Sequence, residues 1–232
     1  AYERQLAWLR EGAPRAHDGT LFHIEGTRSV WVDTVYMVVP LLALAGRLDE
    51  ALAQLDGHRQ RLFDETTGLY AHKWDEDTGT LERADHWGSG SGWVVAGIAR
   101  ALRHVPTHEA GVRHELAEHA RVVIDACLSH RRPDGIFHDV VDDPGTFPEA
   151  NLAQMLAFAV LSGAHDGWLS PGYADVGRSL VEAAAARLDD DGRVTPVCGA
   201  PHFDRPGTSV EAQAFFLLAT AAEQRIGPAS LA

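Results

Sequence analysis

Four short segments of this chain share one pattern: Asp18-Gly19-Thr20-Leu21-Phe22-His23, Thr67-Gly68-Leu69-Tyr70-Ala71-His72, Asp134-Gly135-Ile136-Phe137-His138 and Asp191-Gly192-Arg193-Val194. Each sets a turn glycine after an amphipathic helix, then a short apolar, strand-like run, then a loop into a more apolar helix. Successive glycines lie roughly 50 to 70 residues apart, the length of a helical hairpin with its loop. Units of this size cannot bury their apolar faces alone and must pack beside one another. The spacing predicts amphipathic helices over Tyr2–Glu11, Leu48–Phe63, Glu109–Ser129 and Pro171–Leu188. Between them it predicts largely apolar helices over Asp33–Ala45, Ser91–Leu102, Glu149–Ser162 and Ser209–Ala222, with Pro40 expected to kink or end the first of these. Half-wet outer helices alternating with buried inner ones close most naturally into an all-α architecture, an α/α toroid of helical hairpins; a superhelical solenoid is the alternative. In a toroid the loops emerge at one end, bringing His23, His72 and the helix starts at Asp33, Ser89 to Ser91, Glu149 and Ser209 around a central cleft.

Composition narrows what that cleft can bind. A formal net charge of -13 excludes nucleic acid and anionic membrane as natural partners, because phosphate binding needs clustered Lys and Arg. A small anionic substrate then requires cationic or dipolar groups gathered locally. The two cysteines, Cys127 and Cys198, are too few and too far apart for a disulfide framework or a zinc site, and read as buried thiols. No run of apolar residues is long enough to span a bilayer and no cationic signal segment precedes the first helix, so a soluble, cytoplasmic protein is expected. No Ser/Gly/Pro-rich linker divides the chain, so residues 1–232 are expected to form one domain.

Several residues near the expected cleft can carry chemistry. Asp33 heads an almost wholly apolar helix, where it serves either as a helix cap or as a carboxyl group whose protonation is governed by burial. Trp31, Trp74, Trp87 and Trp93 lie in or beside two neighbouring loops. Each alone reads as core packing, but together they also suit a platform on which sugar rings stack. The run Trp87-Gly88-Ser89-Gly90-Ser91-Gly92-Trp93 would bring backbone close to a ligand and opens a helix whose first amides favour an anion, although it follows no strand and lacks a Lys. His23 and His72 occupy equivalent places in successive repeats without HxxxH spacing, which favours hydrogen bonding to substrate over a metal pair. His108, His114 and His119 sit on a charged outer helix and read as solvated surface.

Taken in order, Trp31-Val32-Asp33-Thr34-Val35-Tyr36-Met37 with Pro40-Leu41-Leu42-Ala43, Thr67 to Asp75, Trp87 to Trp93, Pro148-Glu149-Ala150-Asn151 and Pro206-Gly207-Thr208-Ser209 resemble the successive motifs of the unsaturated glucuronyl and rhamnogalacturonyl hydrolases, glycoside hydrolase families 88 and 105. That resemblance implies an (α/α)6 barrel that uses no metal and no cofactor, acting on a small oligosaccharide with an unsaturated uronic acid at its end. It implies Asp33 as catalytic general acid/base and His72, Trp31, Trp87 and Trp93 as substrate-binding residues, with His23 a looser match. Ser89, also at the substrate, stands where rhamnogalacturonyl-type members often carry an Arg.

The implied reaction protonates C4 of a C4=C5 double bond and adds water at C5, for which Asp33 needs a raised pKa from apolar neighbours such as Trp31, Val35 and Met37. The resemblance also implies further upstream helices and a second active-site aspartate. The chain offers about eight helices where the implied barrel has about twelve, and it lacks an initial Met, so the expectation is an incomplete barrel, either part of a longer catalytic domain or a naturally shortened relative, with apolar sides of the first helices, including Leu6 and Leu9, exposed on an open flank. A non-catalytic glycan-binding remnant is the alternative function.

Overall fold

The computed structural model describes residues 2–227. Eight helices dominate them: α1 (Tyr2–Glu11), α2 (Thr34–Leu44), α3 (Leu48–Leu62), α4 (Gly88–Leu102), α5 (Ala110–Ser129), α6 (Asn151–Asp166), α7 (Tyr173–Ala185) and α8 (Val210–Ile226). Helices α2, α4, α6 and α8 pack in succession as an inner layer, while α3 covers α2, α5 covers α4, and α7 covers α6 and α8. This is the α/α toroid of hairpins, with the alternation of inner and outer helices that the apolar patterning predicts. Strands are confined to the loops. β1 (Ser29–Trp31), β4 (Lys73–Asp75) and β5 (Thr80–Arg83) form a small antiparallel sheet, and β2 (Phe63–Asp64) with β3 (Leu69–Tyr70), β6 (Phe137–His138) with β7 (Pro148–Glu149), and β8 (Val197–Cys198) with β9 (Pro206–Gly207) form two-stranded ladders.

The inner helices are buried because small residues let them approach closely. In α4 every residue but Arg100 is buried, and in α6 every residue from Asn151 to Gly163 is. A Cβ on Gly92 would fall 2.5 Å from Met155 Sδ, and one on Gly97 would fall 3.1 Å from the Tyr36 Cα, so both glycines serve helix packing. The same holds between α6 and α7, where a Cβ on Gly177 would lie 2.5 Å from Leu161 Cγ and 2.9 Å from Val160 Cγ2. Leu161 is fully buried and cannot withdraw. Gly177→Ala is therefore expected to destabilise the protein by about 1–3 kcal/mol despite the better helix propensity of Ala. A urea midpoint equal to or above the wild-type value would refute that account of the α6–α7 contact.

The structure departs from expectation at several places. Helix α2 runs unbroken through Pro40, whose missing N–H costs one hydrogen bond in a helix gripped by α3 and α4. Helix α4 begins at Gly88 rather than Ser91, and α6 continues to Asp166, where Gly167 in the left-handed region (φ 76°) ends it. His119 is buried, not solvated: its Nε2 lies 2.6 Å from the Tyr70 hydroxyl, whereas His108 and His114 are exposed as expected. Leu9 is buried and Leu6 packs against the core, so these two leucines are not on the expected open flank, although Tyr2 and Trp8 of the same helix are exposed.

The most exposed large apolar side chains lie on the two inner helices at the ends of the arc, one of them, α2, among the first helices of the chain. On α2, Met37 and Leu44 are 50% and 56% exposed; on α8, Val210 and Leu217 are 81% and 63% exposed. These end helices meet through Tyr36 and Phe215, ring centroids 5.5 Å apart, but do not pack along their lengths.

Candidate active site

At the end of the toroid where the loops gather lies a cleft of about 390 Å³, whose lining includes Asp33, Trp31, His72, Trp87, Ser89 and Trp93. The loop sheet builds one wall. Pairing of β1 with β4 and of β4 with β5 puts Trp31 opposite Lys73 and Lys73 opposite Arg83, so three neighbouring strands deliver an indole and two cations. The backbone locks them in place, the Val32 N–H donating to the His72 carbonyl and the His72 N–H to the Arg83 carbonyl.

Asp33 immediately precedes α2, already in helical conformation (φ -55°, ψ -34°), and its side chain makes no capping hydrogen bond. The cap role left open by the sequence is thereby removed. Its Oδ2 is buried without a hydrogen-bond partner, 3.3 Å from His72 Nε2, close enough to interact electrostatically but not aligned as a hydrogen bond. Arg83 Nη1 donates to His72 Nδ1 at 3.2 Å; a guanidinium cannot accept, so the neutral ring carries its proton on Nε2, facing Asp33. His72 is further fixed by stacking on Trp87 at 4.6 Å and by the edge of Trp31 at 5.6 Å.

Trp31 is heavily engaged: His23 stacks on it at 4.6 Å and Lys73 Nζ sits 3.6 Å from its ring centroid. His23 donates to or accepts from Thr34 Oγ1 at 2.9 Å, and burial pushes its pKa down against the opposing pull of Asp33. Trp93 lies deeper, against Tyr36 and Phe215, with its indole N–H buried and unpartnered. Trp74 does not join the cleft; its indole N–H is directed to Glu76.

The glycine-rich run behaves differently from the anion loop its sequence suggests. The Gly88 N–H donates to the Asp139 carbonyl, and the Gly90 and Ser91 N–H groups turn back to the Trp87 carbonyl. Those amides are spent on the fold. Ser89 does line the cleft, where its hydroxyl accepts from Asn151 Nδ2 at 3.1 Å.

Beneath this surface lie two acids that sequence reasoning did not single out as functional. Asp139 accepts from the Trp87 indole at 3.2 Å, and burial raises its pKa. Glu149 is fully enclosed and accepts from the backbone N–H groups of Asn151, Leu152 and Cys198 at 2.8, 3.0 and 3.2 Å. Burial pushes its carboxyl up to about 7 against those three donors. The cleft also takes in Lys73, Arg83, Asn151 and Glu211, none of them assigned from sequence, and Glu211 Oε2 is buried without a partner. One signal could have found the first of these: Lys73 is the chain's sole lysine. Cys127 and Cys198 are buried free thiols, as expected, and the Cys198 residue borders the cleft. Among the described residues no group of three or more His, Cys, Asp or Glu is placed to hold a metal ion, and no helix is long and apolar enough to cross a membrane.

The arc of helical hairpins gives the molecule an α/α-toroid fold, with the loop ends of its inner helices gathered on the cleft. The chain belongs to Glycosyl Hydrolase Family 88, whose model it matches over residues 1–223. It is 28% identical over 199 residues to the unsaturated rhamnogalacturonyl hydrolase YesR of Bacillus subtilis, an alignment covering 80% of this chain and 56% of YesR. Its fold is similar to that of a possible glycoside hydrolase family 105 member from Salmonella enterica serovar Paratyphi A (TM-score 0.85, 24% identity, 97% of this chain and 65% of that one). It is also similar to that of the unsaturated glucuronyl hydrolase of Bacillus sp. GL1, which degrades glycosaminoglycan (TM-score 0.72, 16% identity, 97% and 66% covered). The chain thus spans a little over half the length of YesR and 65% of the Salmonella protein.

Proposed function

We propose that this chain carries the acid/base half of a site that hydrates the C4=C5 double bond of a terminal 4,5-unsaturated uronic acid, with Asp33 as the proton donor and acceptor. The observation that carries the reading is the Asp33 carboxyl group: it heads an inner helix without capping it, faces the cleft, and has His72 Nε2–H at its edge. Asp33 gives its proton to C4, and the developing positive charge at C5 is shared with the ring oxygen. Water attacks C5 and yields its proton to the Asp33 carboxylate, restoring the acid. The resulting C5 hemiketal opens by breaking its bond to the ring oxygen, leaving a ketone at C5. The anomeric carbon is then a hemiacetal, which releases the neighbouring sugar as an alcohol and becomes an aldehyde. This chemistry needs one carboxyl group rather than the flanking pair used for displacement at an anomeric carbon. Trp87 and His72 hold the acid's surroundings rigid, and Trp93 closes the floor.

The test is direct. Unsaturated glucuronyl and unsaturated galacturonyl disaccharides absorb in the ultraviolet through the double bond conjugated to the carboxylate. Incubation with the protein is expected to abolish that absorbance while releasing the second sugar. Retention of absorbance with both substrate types, at protein concentrations that exceed any plausible contaminant, would overturn the reading.

A further inference from the structure

We infer that Lys73, assisted by Arg83, is the specificity-determining group that receives the carboxylate of the uronyl substrate. The inference deepens the proposed function and rests on it for the identity of the substrate. Two observations support it. Lys73 borders the same cleft as Asp33, its ammonium held over Trp31, and it makes no salt bridge with any Asp or Glu among the described residues. In a chain of formal charge -13 whose other basic side chains are arginines, many of them paired with acids, the one lysine is a cleft cation without a protein counter-ion.

Chemistry explains the division of labour. Arg83 is committed, Nη1 to His72 and Nε to Asp85 at 3.0 Å, so its planar fork fixes the histidine and offers only a residual field. Lys73 is a compact point charge with rotatable donors, and the indole beneath it orients the ammonium without neutralising it. The register of β1, β4 and β5 sets Trp31, Lys73 and Arg83 side by side across three strands, so the cation is built into the sheet rather than carried on a loose loop. A uronate bound with its carboxylate on Lys73 presents its double bond toward the same wall that carries Asp33 and His72. A neutral sugar, or a uronate ester, lacks the group that Lys73 is placed to receive.

Because Lys73 is the sole lysine, reductive methylation with isotopically labelled formaldehyde gives one dimethyl-lysine signal, distinguished from the terminal amine by its absence in Lys73→Gln. Addition of an unsaturated uronyl disaccharide is expected to shift that signal, and its C6 methyl ester, which keeps the double bond, is expected not to. In Lys73→Gln the unmodified disaccharide should bind about 10- to 100-fold more weakly, as loss of a charge-assisted contact implies, while affinity for the ester should hardly change. A signal that responds equally to acid and ester, or a variant that keeps the wild-type preference for the acid, overturns the inference. These are binding measurements, so a protein that shows the carboxylate-dependent shift without turnover would refute the hydrolase reading and leave the Lys73 assignment standing.

Discussion

Asp33→Asn should reduce turnover of an unsaturated uronyl disaccharide by about 10²- to 10⁴-fold, the usual contribution of a positioned general acid/base. The fold should survive, because the Asp33 side chain makes no capping hydrogen bond and Asn has nearly the same volume. The amide can rotate to keep an oxygen toward His72 Nε2–H, so local packing is retained as well. What is lost is the capacity to give a proton to C4 and to take one from water. The measurement pairs loss of ultraviolet absorbance with urea unfolding of the same preparation. Wild-type turnover in a stably folded variant would show that proton transfer runs through another group, and Glu211, with a buried unpartnered oxygen in the same cleft, would be the next to replace.

The toroid was legible because its cause is local. Turn glycines at Gly19, Gly68, Gly135 and Gly192, all in the left-handed region, punctuate helices whose apolar periodicity differs visibly between inner and outer members. Asp33, His72, Trp87 and Trp93 were legible as a set because they fall in ordered motifs, and all four line the cleft. What escaped depends on partners distant in sequence. His119 on a charged helix looks solvated until Tyr70 is brought to it across 49 positions. Trp31 reads as a bare stacking platform until His23 and Lys73 are found on it. The glycine-rich run suggests an anion loop, yet its Gly88, Gly90 and Ser91 amides are spent on the Asp139 and Trp87 carbonyls and its glycines admit α6 and Val32. Leu6 and Leu9 were expected on an open flank because the barrel was expected to be incomplete; both fold onto the core, and the arc ends on α2 and α8, which only the packing order reveals.

Glu149 should make a large contribution to the pH dependence of stability, as large as that of any carboxyl group in the fold. Its carboxyl is pushed from the ordinary value of 4.5 up to about 7 by enclosure, so the folded state holds a proton that the unfolded chain releases. A raised folded-state pKa favours the fold fully below the unfolded value and loses that advantage as pH rises through the folded one. Between about pH 4.5 and pH 7 the protein should therefore lose on the order of 3 kcal/mol through this group. The raw pH profile will not display this, because burial pulls His58 and His119 down to about 4 from 6.5, and those two lose stability in the opposite direction, as pH falls. A difference isolates the term. In Glu149→Gln one carboxylate oxygen becomes an NH₂ group facing backbone donors from Asn151, Leu152 or Cys198, which should cost about 1–3 kcal/mol for the unsatisfied pair. That variant no longer titrates at this position, so its stability deficit against the wild type should be widest near pH 5 and shrink by about 3 kcal/mol toward pH 8, closing or reversing there. Urea unfolding of both proteins across that range supplies the measurement. A gap that is constant, or that widens with pH, would mean that Glu149 stays ionised in the fold. Its three N–H donors would then prevail over burial, and its role would reduce to that of a charged cap on the helix that carries Asn151 to the cleft.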